Sequence, residues 1–130
     1  MKIKIEEWES LLEEVGEAYK FKLDGKFHAI LETREGYYRG NHIHPNRQHT
    51  LLLSGTGRYI IQRERDLIEK HLVPGEFLSV DAGVPHILIP DTDLVTFEWW
   101  EGDFISEPCE NIFNNYTENR LGDEDFKKRE

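Results

Sequence analysis

Hydrophobic positions follow one period near the start of this chain and another over the rest. Trp8, Leu11, Leu12 and Val15 fall at i, i+3, i+4 and i+7 with acids between them, the spacing of an amphipathic helix. A short N-terminal helix is therefore expected within residues 1–18, stopped near Gly16, with its apolar stripe packed on the body of the domain. From about residue 19 the period falls to two, and strand-like runs alternate with turn residues. YKFKL precedes Asp24-Gly25, FHAILET precedes Glu35-Gly36, YYRGNHIH precedes Pro45-Asn46, and HTLLL precedes Ser54-Gly55-Thr56-Gly57. RYIIQRE, LIEKHLV, EFLSV, HILIP and LVTFEWW follow in turn. About nine short strands, with no second helical region before the tail, predict an all-β antiparallel sandwich or barrel over residues 19–100.

Residues 101–130 read as an acidic C-terminal extension. Phe104, Ile105, Ile112, Phe113 and Tyr116 are apolar positions that can pack it on the barrel or on a second subunit. The final GDEDFKKRE has little to bury and is expected to be loose.

Composition narrows the function classes. The 130 residues fit one domain with its own core. Cys109 is the single cysteine, so no intramolecular disulfide forms, and the carboxylates of SEPCEN disfavour a reactive thiolate. The charged N-terminus lacks the apolar core of a secretory signal, and no apolar run reaches the ~20 residues of a membrane span. A cytoplasmic protein is expected. A net charge of −10 without a basic cluster argues against nucleic acid and anionic membranes, which leaves a small-molecule ligand. Strand edges and aromatic strand ends point to a homodimer.

The chemistry concentrates in GYYRGNHIHPNRQHTLLLSG, Gly36 to Gly55. His42 and His44 sit two apart in a strand-like run, so their imidazoles share a face. A third histidine, His86, lies in PGEFLSVDAGVPHILIP. Same-facing imidazoles begin a transition-metal site or an acid/base pair.

These residues resemble the two motifs of the cupin superfamily. Gly36, five residues, His42-Ile43-His44, three residues, Gln48, six residues and Gly55 follow the first motif, with Gln48 where the family has glutamate. Gly75, five residues, Asp81-Ala82-Gly83, Val84-Pro85 and His86 follow the second, with Asp81 where the family has proline. The resemblance covers roughly residues 25–100 and implies a cupin jelly-roll barrel. It implies a divalent transition metal (Zn, Fe, Mn, Ni or Cu) on His42, His44, Gln48 and His86. An amide in place of the carboxylate removes one negative charge and weakens the grip. His49, beside Gln48, is the alternative fourth ligand if the strand is bulged. Counting back from Gly55 favours Gln48, because a one-residue slip would flip the whole strand.

Arg39-Gly40-Asn41-His42-Ile43-His44 is also similar to the R-G-x-H-x-H of cupin-fold sugar-nucleotide 3,4-ketoisomerases. That likeness implies a metal-free isomerase or epimerase of nucleotide-linked ketosugars. His42 and His44 would then move protons while Arg39 clamps phosphate or sugar. The same Arg39 on a surface strand would simply pair with one of the many acids. A third outcome is a cupin that binds a ligand without turning it over. Alternation places Glu98 and Trp100 on one face of the last strand and Phe97 and Trp99 on the other. Glu98 facing the interior would support the site residues or act as a general base, but an outward, solvated glutamate is expected; Tyr37 is expected to pack beside Arg39, with a pocket role as the alternative, and His28 and His71 to be surface or strand residues without a site role.

Overall fold

The computed structural model describes residues 5–109 and 111–122. Strands dominate: β1 Ile5–Glu13, β2 Gly16–Leu23, β3 Lys26–Thr33, β4 Tyr37–Ile43, β5 Gln48–Ser54, β6 Gly57–Arg63, β7 Asp66–Leu72, β8 Phe77–Val80, β9 His86–Pro90 and β10 Leu94–Trp100. Short β11 Glu107–Pro108, helix α1 Asn114–Thr117 and β12 Leu121–Gly122 complete the described chain. One sheet runs β1-β2-β3-β10-β5-β8 and the other β11-β4-β9-β6-β7, with β12 added parallel to β4. The expected all-β jelly roll is present, and β2 to β10 match the nine predicted strands.

The N-terminal helix is not formed. Residues 5–13 make β1, antiparallel to β2, with Glu6 opposite Lys22 and Glu9 opposite Lys20. Of the two lysines, Lys22 makes the ion pair across the hairpin, its Nζ 3.2 Å from Glu7 Oε2. A bulge between Glu6 and Glu9, with Glu7 at φ 54°, brings the Trp8 ring 5.4 Å from those of Tyr19 and Phe21. The apolar spacing is real, but the hairpin partner supplied by β2 overrides local propensity. The expectation of a loose terminus lies largely outside the described residues. Gly122, its first position, pairs with Tyr38.

The interior is built by alternation. Leu52, Val80 and Leu94 from one sheet meet Tyr59, Ile61, Leu72 and Leu88 from the other. A second cluster lies on the far side of the β4-β9-β6 sheet, where Cys109 and Phe113 of the C-terminal segment cover Tyr38, Ile60, Ile87 and Ile89. With both faces covered, all five residues of β9 are buried. That explains why HILIP reads as a continuous apolar run rather than an alternating one.

Gly55 shows why the first motif ends on glycine. It has φ +80°, and a Cβ there would stand 2.2 Å from the Asp93 carbonyl oxygen. A side chain is barred twice, by the left-handed backbone and by the neighbouring strand end.

Candidate metal centre

A bulge in β4 sets the site. The register pairs Arg39 with Leu88 and Gly40 with Ile87, then skips Asn41 and pairs His42 with His86. Gly40 and Asn41 have φ 90° and 67°, the left-handed conformation that glycine and asparagine tolerate best. Without the extra residue, Arg39 and His42 would face opposite sides. With it, both line one interior cavity along with His44, Gln48, His86 and Glu98. The cavity is small, ≈ 60 Å³, and Phe27, Trp100 and Phe104 stand at its wall.

His42 and His86 are thus direct cross-strand partners. The His44 ring centroid is 5.0 Å from His86 and 5.9 Å from His42. Exposures of 6%, 5% and 2% put His42, His44 and His86 in the interior. Two of the rings are held by their backs. His44 Nδ1–H donates to the Ile105 carbonyl at 2.8 Å, and His86 Nδ1–H to the Val84 carbonyl at 3.0 Å. A carbonyl can only accept, so these bonds keep the proton on Nδ1 and leave each Nε2 unprotonated, that of His44 next to the Gln48 side chain. Burial keeps both rings neutral. It lowers the His44 pKa and pulls His86 down to about 3, with the other imidazoles adding a smaller push.

Gln48 and His49 part company. Gln48 is 2% exposed, while His49 lies on the opposite face, with Nδ1 2.7 Å from Ser79 Oγ and Nε2 3.1 Å from Glu101. The strand carries no bulge at this point, so His49 stays outside the cavity. The Gln48 amide nitrogen donates to Glu98 Oε1 at 2.9 Å, with Thr50 Oγ1 and Tyr59 OH at 3.0 and 3.2 Å. The carboxylate fixes the amide's orientation and turns its carbonyl oxygen elsewhere. His44 is also hydrogen-bonded to the Gln48 side chain.

Glu98 is the residue that alternation placed on the right face but solvation logic misjudged. It is 5% exposed, not outward. It accepts from Thr96 Oγ1 at 2.6 Å and from Gln48, with Tyr59 OH at 3.5 Å. The hydroxyls of Thr50 (β5), Tyr59 (β6) and Thr96 (β10), all facing inward, were the missed signal. Together they make a polar nest able to hold a carboxylate inside a barrel.

Arg39 is neither a surface residue nor a free clamp. It is 5% exposed. Its guanidinium donates to the Glu32 carbonyl at 3.0 and 2.9 Å and to the Gly16 carbonyl at 3.2 Å, with Glu13 at 3.8 Å. It pins β1, β2 and β3 to β4. Asp81 sits in an exposed turn 3.4 Å from Arg47, and the adjacent Gly83 N–H donates to the His44 carbonyl at 2.8 Å. The substitution of the motif proline therefore alters a turn only. His71 is exposed on β7.

The donor set suits a divalent transition metal. With its protons placed as above, the cluster presents imidazole lone pairs from His44 and His86, a third imidazole at His42 and an amide carbonyl oxygen, ligands for borderline ions. The rings are gathered but not closed on one point. Among the described residues no three His, Cys, Asp or Glu side chains stand in ligating geometry. Bonds of about 2.0–2.1 Å from nitrogen would take further rotation of the rings.

No model of a known protein family matches this sequence, and no curated protein matches it either. Solved structures do. The capsular polysaccharide assembling protein CapF from Staphylococcus aureus superposes with a TM-score of 0.69 at 21% identity, over 79% of this chain and 32% of that one. CapF with the inhibitor 3-isopropenyl-tropolone gives 0.68 at 22%, over 79% and 34%. A deletion mutant of Bacillus subtilis oxalate decarboxylase OxdC gives 0.69 at 14%, over 78% and 30%. The fold shared with these proteins is the cupin jelly roll. The chain spans about a third of the length of each. No helix among the described residues is long and apolar enough to cross a membrane.

Proposed function

We propose that this cupin holds a divalent transition metal on His42, His44 and His86, with the Gln48 carbonyl as the weaker fourth ligand, and binds or converts a small polar molecule beside it. The observation that carries this reading is the pair of Nδ1–H bonds to the Ile105 and Val84 carbonyls. They orient two buried, neutral rings from behind, as a carbonyl or carboxylate on the far nitrogen does for a metal-binding imidazole. The ion would act as a Lewis acid toward a substrate oxygen.

The chain's own residues favour a small acid. Lys20 lines the cavity and has no ion pair or hydrogen bond among the described residues. Trp100 lines it too, and its buried indole N–H lacks an acceptor among them. One cation and one donor facing neutral imidazoles select a carboxylate. Phe27 and Phe104, stacked at 4.8 Å, exclude water at the wall.

Metal content tests the reading. Untagged protein, stripped with chelator and reloaded, should carry near one equivalent by elemental analysis, and His86→Ala should carry almost none. Wild type that retains no ion overturns it. In the loaded protein, small carboxylates should raise the melting temperature, and Lys20→Met should abolish that rise without releasing the metal.

The R-G-x-H-x-H likeness of residues 39–44 keeps a nucleotide-sugar isomerase as the second reading, and such a ligand would have to stabilise metal-free protein. One observation weighs against it: Arg39 is committed to backbone carbonyls. The interior cavity of ≈ 60 Å³ holds only a small group, so the nucleotide would have to lie in the larger cleft that shares Phe27, Trp100 and Phe104 with it.

A further inference from the structure

Glu98 is a carboxylate buried beside candidate ligands that bring no negative charge. It shares the interior cavity with His42, His44, Gln48 and His86. The register of β10 on β5 sets Glu98 opposite Thr50 and Trp100 opposite Gln48. Gln48 and Glu98 are therefore diagonal neighbours on one inward face, where long side chains can meet. They do meet. The Gln48 amide nitrogen donates to Glu98 Oε1 at 2.9 Å, while Thr96 Oγ1 donates to Oε2 at 2.6 Å.

The remaining contacts show what this bond does to the amide. Thr50 Oγ1 and Tyr59 OH also lie against its nitrogen, at 3.0 and 3.2 Å. The nitrogen end of Gln48 is thus turned toward Glu98 and the two hydroxyls. Its carbonyl end is what remains for His44, which the same side chain touches. The His44 Nδ1–H is engaged by the Ile105 carbonyl, so the ring meets that oxygen with its unprotonated nitrogen. Two buried acceptors side by side, with no proton to share, call for a cation.

We propose that Glu98 is a positioning residue for the divalent ion: it holds the Gln48 amide by its N–H and lends its negative charge, through that bond, to the carbonyl oxygen that ligates. This rests on the metal reading above. An N–H donated to a carboxylate shifts electron density toward the amide oxygen, much as a carboxylate on the far nitrogen raises the basicity of a metal-binding imidazole. Three imidazoles and an amide leave the charge of a divalent ion uncompensated in a buried cavity, and Arg39 and Lys20 at the wall add positive charge of their own. A carboxylate one bond behind the amide offsets both. Packing alone would favour an apolar side chain here, as at Leu52 and Leu94 of the same two strands.

Titration of the chelator-stripped full chain with Zn²⁺, against a competing chelating dye, tests this role. Glu98→Gln keeps the shape and one accepting oxygen but removes the charge, and it should weaken Zn²⁺ binding about 10- to 100-fold. Gln48→Glu/Glu98→Gln moves the charge onto the ligating position and should bind at least as tightly as wild type. The swapped pair still has one carboxylate and one amide among the same hydroxyls, so it decides the matter even where Glu98→Gln fails to fold. Glu101→Gln removes an equal charge outside the cavity, from a side chain 55% exposed, and should bind Zn²⁺ as wild type does. A role in packing alone would lower the melting temperature of the metal-free protein and leave the Zn²⁺ affinity of the folded variant unchanged. Unchanged affinity in folded Glu98→Gln, or a swapped pair about tenfold weaker than wild type, overturns the role of Glu98 and leaves the metal reading standing. Wild type that takes up no Zn²⁺ overturns both.

Discussion

Arg39 ties together three strands that share no covalent neighbour with it, and its value lies in a forked, planar charge. Arg39→Lys supplies one point charge where three donor contacts to the Glu32 and Gly16 carbonyls exist. It should cost about 2–3 kcal/mol in urea denaturation, because buried carbonyls are left unmet. Metal content should stay near wild type, which separates this structural role from a role in ligation. His86 makes the opposite case, a buried base kept neutral. Its folded pKa is about 3, against about 6.5 in the unfolded chain. Above about pH 6.5 both states are neutral and the stability is fully present. As pH falls toward 3 the unfolded state takes up a proton that the folded state refuses. Metal-free protein should therefore lose stability with a slope approaching 1.4 kcal/mol per pH unit from this group, and His86→Leu should flatten the slope. Cys109 is 5% exposed, and burial raises its thiol pKa to about 11. Alkylation of the native protein at pH 8 should be slow and should become fast in denaturant.

At the level of the element, the bulge in β4 decides which side chains meet. Gly40→Ala puts a side chain at φ +90°, with its Cβ 3.4 Å from the His86 carbonyl oxygen. It should cost about 1–3 kcal/mol and weaken metal uptake, since the His42–His86 register depends on the bulge. The two-residue signal was visible in the chain: Gly-Asn inside a strand-like run marks a bulge. It was passed over because regular alternation already placed His42 and His44 together. Strands such as LVTFEWW were legible because their period of two agrees with their burial, which alternates at every position, and HILIP, buried throughout, because a short apolar run stands between turn residues. The first segment misled because Trp8, Leu11, Leu12 and Val15 satisfy a helical spacing and a bulged strand equally well. Only the neighbouring strand settles the choice, through its backbone register and the Lys22–Glu7 ion pair, and pairing between strands is not a local property. Glu98 was misread for a related reason. A charged side chain goes outward unless several hydroxyls gather around it, and Thr50, Tyr59 and Thr96 come from three different strands.

Across the whole molecule, the outer face of the β4-β9-β6 sheet is sealed by the chain itself. Phe113 is 1% exposed against that face, so Phe113→Ala should cost about 3–5 kcal/mol and expose the second apolar cluster to dye binding. The same C-terminal segment reaches the site through the loop ahead of β11. Phe104 meets Trp100 edge to face at the cavity wall, ring centroids 4.7 Å apart, and the next residue, Ile105, holds His44 through its carbonyl. Doorway and ligand mount are therefore built on adjacent peptides. Any displacement that admits a larger guest also slackens the imidazole beneath it, so in this fold the breadth of accepted molecules and the firmness of the centre move in opposite directions.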